Sequence, residues 1–338
     1  MRAYILKRIG LGLVVVLGVV LVTFVIARLV PGDPAVAWVG LHATPREIQQ
    51  ARHTLGLDRP LYAQIVTYVK GVASGNWGTS IHTKRPVLSD IGSRAAASLE
   101  LVVTAMLLAL ALGIPLGLVS ARWHGRLPDL LVRLGAVVGV SMPTFWMAMI
   151  LQLVFFQRLG LLPVAGEYDP SVAYLNPLVL YTHVPVIDAL LNGNWPMLQS
   201  SLTHLVMPAV VVAAYPMAVI ARMVRASILD SLGEDHIRMV RALGFSERAV
   251  FGRFALKSTL NPVLAVTALV FAYSLASTFL VEAIFDWPGL GMYAADSIRS
   301  LDTPAIIGVT LLVALVYVGS NLIVDIAQAI IDPRIRLN

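Results

Sequence analysis

Lys257-Ser258 would close a phosphate-binding loop, in which the lysine and hydroxyl hold nucleotide phosphates and magnesium. Phe251 and Leu256 stand where that loop requires glycine, so the chain is not expected to bind ATP itself. Gly139-x-Ser141, with His204 further along, has the start of a serine-nucleophile motif. Its fifth position is Pro143 rather than glycine, and a serine in an apolar helix ordinarily packs. The seven histidines are scattered without a His-Glu-x-x-His pair, and cysteine is absent. That argues against a metal site and excludes disulfides and cysteine nucleophiles. Glu282 and Asp325 are the acids that could serve ion coupling, but both lie toward the ends of apolar stretches. No enzyme activity and no bound cofactor are expected. The polar chemistry gathers instead between two apolar stretches, at Gly233-Glu-Asp-His-Ile-Arg-Met-Val-Arg-Ala-Leu-Gly-Phe-Ser246, and seven of the 25 Lys+Arg lie from Arg222 to Lys257.

The elements that would carry this segment are membrane helices. Of 338 residues 58% are hydrophobic and only 13% charged, with a mean hydropathy of +0.80. Apolar runs of roughly 20 residues match a bilayer core of about 30 Å. Six spans are predicted, at about 9–30, 98–121, 130–158, 202–226, 259–284 and 304–330. The run after Arg2, Lys7 and Arg8 is longer than the roughly 7–15 apolar residues of a secretory signal, and it reads as a retained span. Basic residues at the N-terminus, at Arg122, Arg126 and Arg133, in the loop 222–257 and in the tail orient the chain with both ends inside. The net charge of +6 follows from these inner loops, and no aromatic-basic patch points to nucleic acid.

This divides the chain into an N-terminal transmembrane helix (1–30), an extracytoplasmic helical loop (31–97), a five-span core (98–330) and a cytoplasmic tail (331–338). In the outer loop Thr44-Pro45-Arg46-Glu47 predicts a capped helix from Pro45 to about Thr54, and a second is expected over Pro60 to Ser74. Gly113-x3-Gly117 and Gly135-x3-Gly139 suit close helix packing. Pro115, Pro143, Pro208 and Pro216 predict kinks or breaks, which in a membrane need protein or water beside them. Ser141, Thr144 and Gln152 near such breaks could line a pathway or simply bond between helices.

Within the core, the segment 227–257 predicts a short amphipathic helix from about Glu234 to Leu243, with Ile228, Leu232, Ile237, Val240 and Leu243 at helical spacing. Glu234 and Asp235 sit at its positive end and Arg241 at its negative end. Gly244 suits a left-handed cap, and Ser246 can start another helix. Such a unit could dock a partner or lie on lipid.

Leu232 to Gly244 resembles the coupling loop of bacterial ATP-binding cassette (ABC) importer permeases, in the dipeptide/oligopeptide/nickel group. That family's loop typically reads Glu-Asp-Tyr-Ile-Arg-Thr-Ala-Arg-Ala-Lys-Gly, so His236, Met239, Val240 and Leu243 depart from it. Further likenesses are Pro31-Gly-Asp-Pro34, Ser98-Leu-Glu-Leu101, Ser141-Met-Pro-Thr-Phe-Trp146, Val281-Glu-Ala-Ile-Phe-Asp-Trp-Pro-Gly-Leu-Gly291, Asp302 with Pro304, and Asp332-Pro-Arg-Ile-Arg336. They are similar to the B-type subunit of dipeptide permeases. The resemblance implies an all-α integral membrane fold with a type I importer core. It also implies a transport subunit in the bacterial cytoplasmic membrane, with a homologous C-type permease, two ATPase subunits that bind ATP-Mg, and an extracytoplasmic binding protein. Glu234, Asp235, Arg238, Arg241, Ala242 and Gly244 are the expected coupling residues. Glu282, Trp287, Pro288, Gly289 and Gly291 form an outer-gate turn; Trp287 suits the membrane interface, and Glu282 needs a backbone partner or Arg299. Peptide, nickel chelate, glutathione and haem remain open as cargo, with an ion-coupled secondary transporter as the rival class.

Overall fold

A computed structural model describes residues 2–29, 33–40 and 42–331. Pro31 and Gly32, and Asp332 to Arg336 of the tail, lie outside the described residues. Those described are almost entirely helical, with a single isolated β-bridge between Thr79 and Pro86. Helix α1 (Arg2–Leu29) leads to short helices α2 (Pro34–Val39), α3 (Pro45–Thr54) and α4 (Leu61–Ala73) in the segment expected outside. The cap predicted for α3 forms as a reciprocal pair: the Thr44 side chain accepts from the Glu47 N–H, and Glu47 accepts from the Thr44 N–H at 2.7 Å. Both orphan donors at the helix start are thereby satisfied.

Helix α5 (Val87–Arg122) begins well before the expected span and merges the end of the outer loop into it. A turn at Gly125 leads to α6 (Leu127–Ser141) and α7 (Thr144–Leu151), whose last part continues as a π-helical stretch (Gln152–Arg158). These two halves meet at 105°. Met142, held extended by the following proline, ends α6. Short helices α8 (Pro170–Leu175) and α9 (Pro185–Leu191) follow, then the longest helix among the described residues, α10 (Trp195–Leu232). At Pro115, Pro208 and Pro216 the helices run on without a break, so of the expected kinks or breaks the break forms at Pro143 alone of the four. All three lie in long helices packed against others; there neighbouring helices and small local adjustments absorb the lost hydrogen bond.

The chain then forms α11 (Asp235–Ala242) and α12 (Glu247–Ala249). A π-helical stretch (Val250–Ala255) leads into α13 (Leu256–Ser277), with α14 (Phe279–Ile284), α15 (Leu290–Arg299) and α16 (Thr303–Ile331) to follow. Among the described residues three helices are each long and apolar enough to cross a bilayer, and two bent pairs bring the total to as many as five.

The main core lies between α5, α10 and α13, with Leu101, Val211, Ile220 and Ile228 fully covered. Gly117 lets α5 and α10 touch: an added Cβ would lie 2.6 Å from the Ala221 carbonyl oxygen. Gly113 and Gly139 also face α10 closely, whereas Gly135 faces open space. A second core joins α1, α15, α16 and the outer segment through Val20, Trp77, Tyr293 and Leu311.

Candidate functional site

Three places stand out as candidate sites: the polar unit after α10 (the inner unit of the expected topology), the turn after α14 (its outer turn) and a cavity at the break after α6. The inner unit follows α10 after Gly233. Glu234 stands in extended backbone at the N-cap position of α11, and its side chain pairs with His236 at 2.9 Å rather than capping the helix. Ile237 is completely buried and Val240 packs on the main core. The other side of the unit is open. Asp235 and Arg238 make only an exposed pair at 3.4 Å, and Ala242 is exposed. Arg241 reaches forward to grip Glu247 with two nitrogens, at 2.9 and 3.3 Å. Gly244, at φ +82°, turns the chain in the left-handed region where other residues are strained. The Ser246 hydroxyl then accepts from the Ala249 N–H.

Leu243 was placed on the buried face by its spacing. It is instead 64% exposed, as is Met239, with Phe245 beside them. The unwinding at the end of α11 rotates Leu243 outward, and the Phe254 ring, at 5.2 Å, braces Phe245 edge-on. Val240 and Met239 thus face opposite ways, one into the core and one into solvent. Three large apolar side chains project from a polar unit, and that is the part sequence spacing missed. Phe245, just after the glycine turn, was its one available signal.

The outer turn is the reverse case, closed on itself. Glu282 is fully buried and accepts from the Ser98 hydroxyl at 2.6 Å and from the Gly291 and Met292 N–H groups at 2.7 and 3.3 Å. Ser98 in turn accepts from the Leu290 N–H at 2.8 Å. Arg299 is not involved; it pairs with Asp296. Trp287 is 1% exposed, packed inside the protein rather than facing lipid, and its indole N–H donates to the Ala97 carbonyl at 2.9 Å. Pro288 is exposed. A Cβ on Gly289 would lie 2.3 Å from the Glu282 carboxylate, and one on Gly291 2.5 Å from the Phe279 Cα. Asp302, also fully buried, ties α16 to the outer loop by accepting from the Ser80 hydroxyl and the His82 N–H.

A cavity of about 480 Å³ lies where α6 breaks. Ser141 and Thr144 line it, with Tyr215 and Pro216 of α10 and Tyr273, Ser274 and Ser277 of α13. Tyr215 and Tyr273 hold their rings 4.9 Å apart. Gln152 is elsewhere: its amide donates to the Val164 and Ile284 carbonyls at 2.9 and 3.3 Å, fastening the outer loop to the end of α14. No charged side chain lines the cavity, and no group of His, Asp or Glu among the described residues could hold a metal.

The profile of the binding-protein-dependent transport system inner membrane components matches residues 113–337. The profile of their N-terminal part matches residues 1–112. The chain belongs to this family. It is thus an inner-membrane permease component, a family role that is not catalytic. Family members similar to it include a probable D,D-dipeptide transport system permease protein of Escherichia coli, 41% identical over 95% of this chain and 94% of that one. The dipeptide transport system permease protein of Alkalihalophilus pseudofirmus is 39% identical over 99% of this chain and 100% of its own length. The glutathione transport system permease protein of E. coli is 35% identical over 99% of each. Among solved structures, the methionine ABC transporter MetNI in inward-facing conformations gives a TM-score of 0.46 at 14% identity, over 68% of this chain and 92% of that one.

Proposed function

We propose that this chain forms half of the pathway of an ATP-driven importer of di- and oligopeptides across the bacterial cytoplasmic membrane. The observation that carries this reading is its 36–41% identity, over nearly the full chain, to permeases named for dipeptide transport. Six spans with both ends inside, the segment 31–97 outside and the unit within 227–257 inside complete the arrangement. A homologous permease supplies the other half of the pathway. Two ATPase subunits hold ATP-Mg, this chain holds no cofactor, and an outer binding protein delivers the peptide.

The inner unit supports the reading because it is an apolar knob with a charged rim. Met239, Leu243 and Phe245 are the kind of projecting side chains that fill a partner's groove, ringed by Glu234, Asp235, Arg238 and Arg241. Closure of the ATPase pair on ATP would push this knob. Helix α10 leads directly into it and also walls the cavity at Tyr215 and Pro216. A displacement at the knob therefore reaches the cavity through one helix, as a two-state switch biased by nucleotide. The cavity offers hydroxyls and aromatic faces without charge, which suits peptide main chain of variable sequence.

The test is extraction in mild detergent to identify co-purifying subunits, followed by uptake of labelled dipeptide into proteoliposomes. ATP-dependent uptake is expected. Uptake without ATP, driven by a proton gradient, would replace this reading with a secondary transporter. Displacement by glutathione but not by dipeptides would move the cargo to the glutathione relatives.

A further inference from the structure

At the inner face one carboxylate joins three helices. Asp129, in the first turn of α6, is fully buried. Its Oδ1 accepts from the Ser120 hydroxyl near the end of α5 at 2.5 Å and from Nε of Arg225 on α10 at 2.7 Å. Its Oδ2 accepts from the Gly125 N–H of the connecting turn at 2.9 Å and from a second Arg225 nitrogen at 3.0 Å. Arg133 approaches from α6 itself at 3.6 Å. Nδ1 of His124 lies beside the pair, 2.9 Å from Arg225 and 3.3 Å from Asp129 Oδ2. Every oxygen of this buried carboxylate is thus satisfied, and most of its charge partner comes from α10.

Holding helices together does not require such a pair, since apolar side chains of similar volume often do as well or better. What the pair adds is a fixed geometry at a chosen place. Arg225 lies between the Gly117 contact with Ala221 and Val224 and the end of α10 at Leu232, from which the knob hangs. Further along α6, Gly139 meets α10 at the Ala214 carbonyl, and α6 then ends at the cavity wall of Ser141 to Thr144.

We propose that Arg225 and Asp129 are positioning residues that lock the inner ends of α5, α6 and α10 into one lever, so that a push on the knob reaches the broken helix at Pro143 as well as α10. This rests on the permease reading above. Without the pair, α10 would move its own side of the cavity while the α5–α6 turn lagged, and ATP hydrolysis would be spent without moving the opposite wall at Ser141 to Thr144.

The experiment uses the complete reconstituted transporter. Because the chain has no cysteine, Arg126→Cys on the turn and Asp230→Cys on α10 can carry spin labels. Their separation should stay the same in the nucleotide-free and ATP-trapped states of the otherwise unchanged protein, and should differ between those states once Arg225→Gln is added. Peptide uptake per ATP hydrolysed should fall about 10-fold in Arg225→Gln and recover substantially in Arg225→Lys, which keeps one charged donor for Asp129. A merely structural role would lower the amount of assembled transporter and leave that ratio unchanged. The proposal is overturned if the labels already separate without the substitution, or if Arg225→Gln keeps a normal uptake-to-hydrolysis ratio. A wild-type assembly with no ATP-driven uptake would instead sink the permease reading itself.

Discussion

Two glycines separate the two ends of this molecule. Gly291 in the outer turn is required for space: a Cβ there meets the Phe279 backbone at 2.5 Å. Gly244 in the inner knob has nothing within 4 Å of where its Cβ would be, and is required only for its φ of +82°. The outer turn has Trp287, Glu282 and Leu290 buried and their polar atoms bonded within the chain. The inner knob leaves Met239, Leu243 and Phe245 in the open, with ion pairs that are themselves exposed. A region whose bonds close on themselves is a hinge or a brace. One that shows large apolar groups on a polar unit is a candidate for contact with another molecule.

The contrast is sharpest for stability against function. Gly291→Ala forces backbone apart and threatens the N–H donors of a buried carboxylate, costs of about 1–3 kcal/mol each. We expect the subunit to accumulate poorly in membranes and the purified assembly to melt several degrees lower. Thermal unfolding near that of the unchanged protein would show that the outer turn is looser than its packing implies. Gly244→Asp should behave oppositely. It places an unfavourable negative charge at the end of α11, while the backbone cost is small because Asp is one of the few side chains that visits the left-handed region and nothing lies within 4 Å of its Cβ. Insertion and melting should hold, while transport falls about 10-fold as the ATPases lose their grip. Normal peptide-stimulated ATP hydrolysis by this variant would remove the docking role from the knob.

Local signals carried far in this sequence. Thr44-Pro45 and Glu47 gave α3 to the residue, and Gly244 and Ser246 marked the turn after α11, because caps act over a few residues of backbone. Proline was read less well. Its effect depends on what packs beside it, which sequence does not display, so α10 runs through Pro208 and Pro216 while α6 stops at Pro143. Trp287 illustrates the same limit. An indole suits an interface and a core alike, and only the Ala97 carbonyl, remote in sequence, decides between them. The Asp129–Arg225 pair was illegible for that reason too.

Glu167 is one of several buried groups in the described residues with an oxygen that lacks a hydrogen-bond partner, and it yields the smallest effect. Glu167 lies in the loop held to Phe285 by the Gly166 N–H at 2.8 Å, and its Oε1 is buried without a hydrogen-bond partner. Burial first, then the neighbouring carboxylates Glu100 and Glu282, pushes Glu167 up to about 8. A carboxyl raised in this way binds its proton more tightly folded than unfolded. Between its ordinary value of 4.5 and about 8 the folded state therefore holds more protons, and stability falls as pH rises through that window. The assembly should melt higher at the acid end of the window than at the alkaline end, and Glu167→Gln should flatten that slope. If the slope survives the substitution, Glu167 is not the group that releases its proton in that window, and the loop it sits in is held as firmly at alkaline pH as the turn beside it.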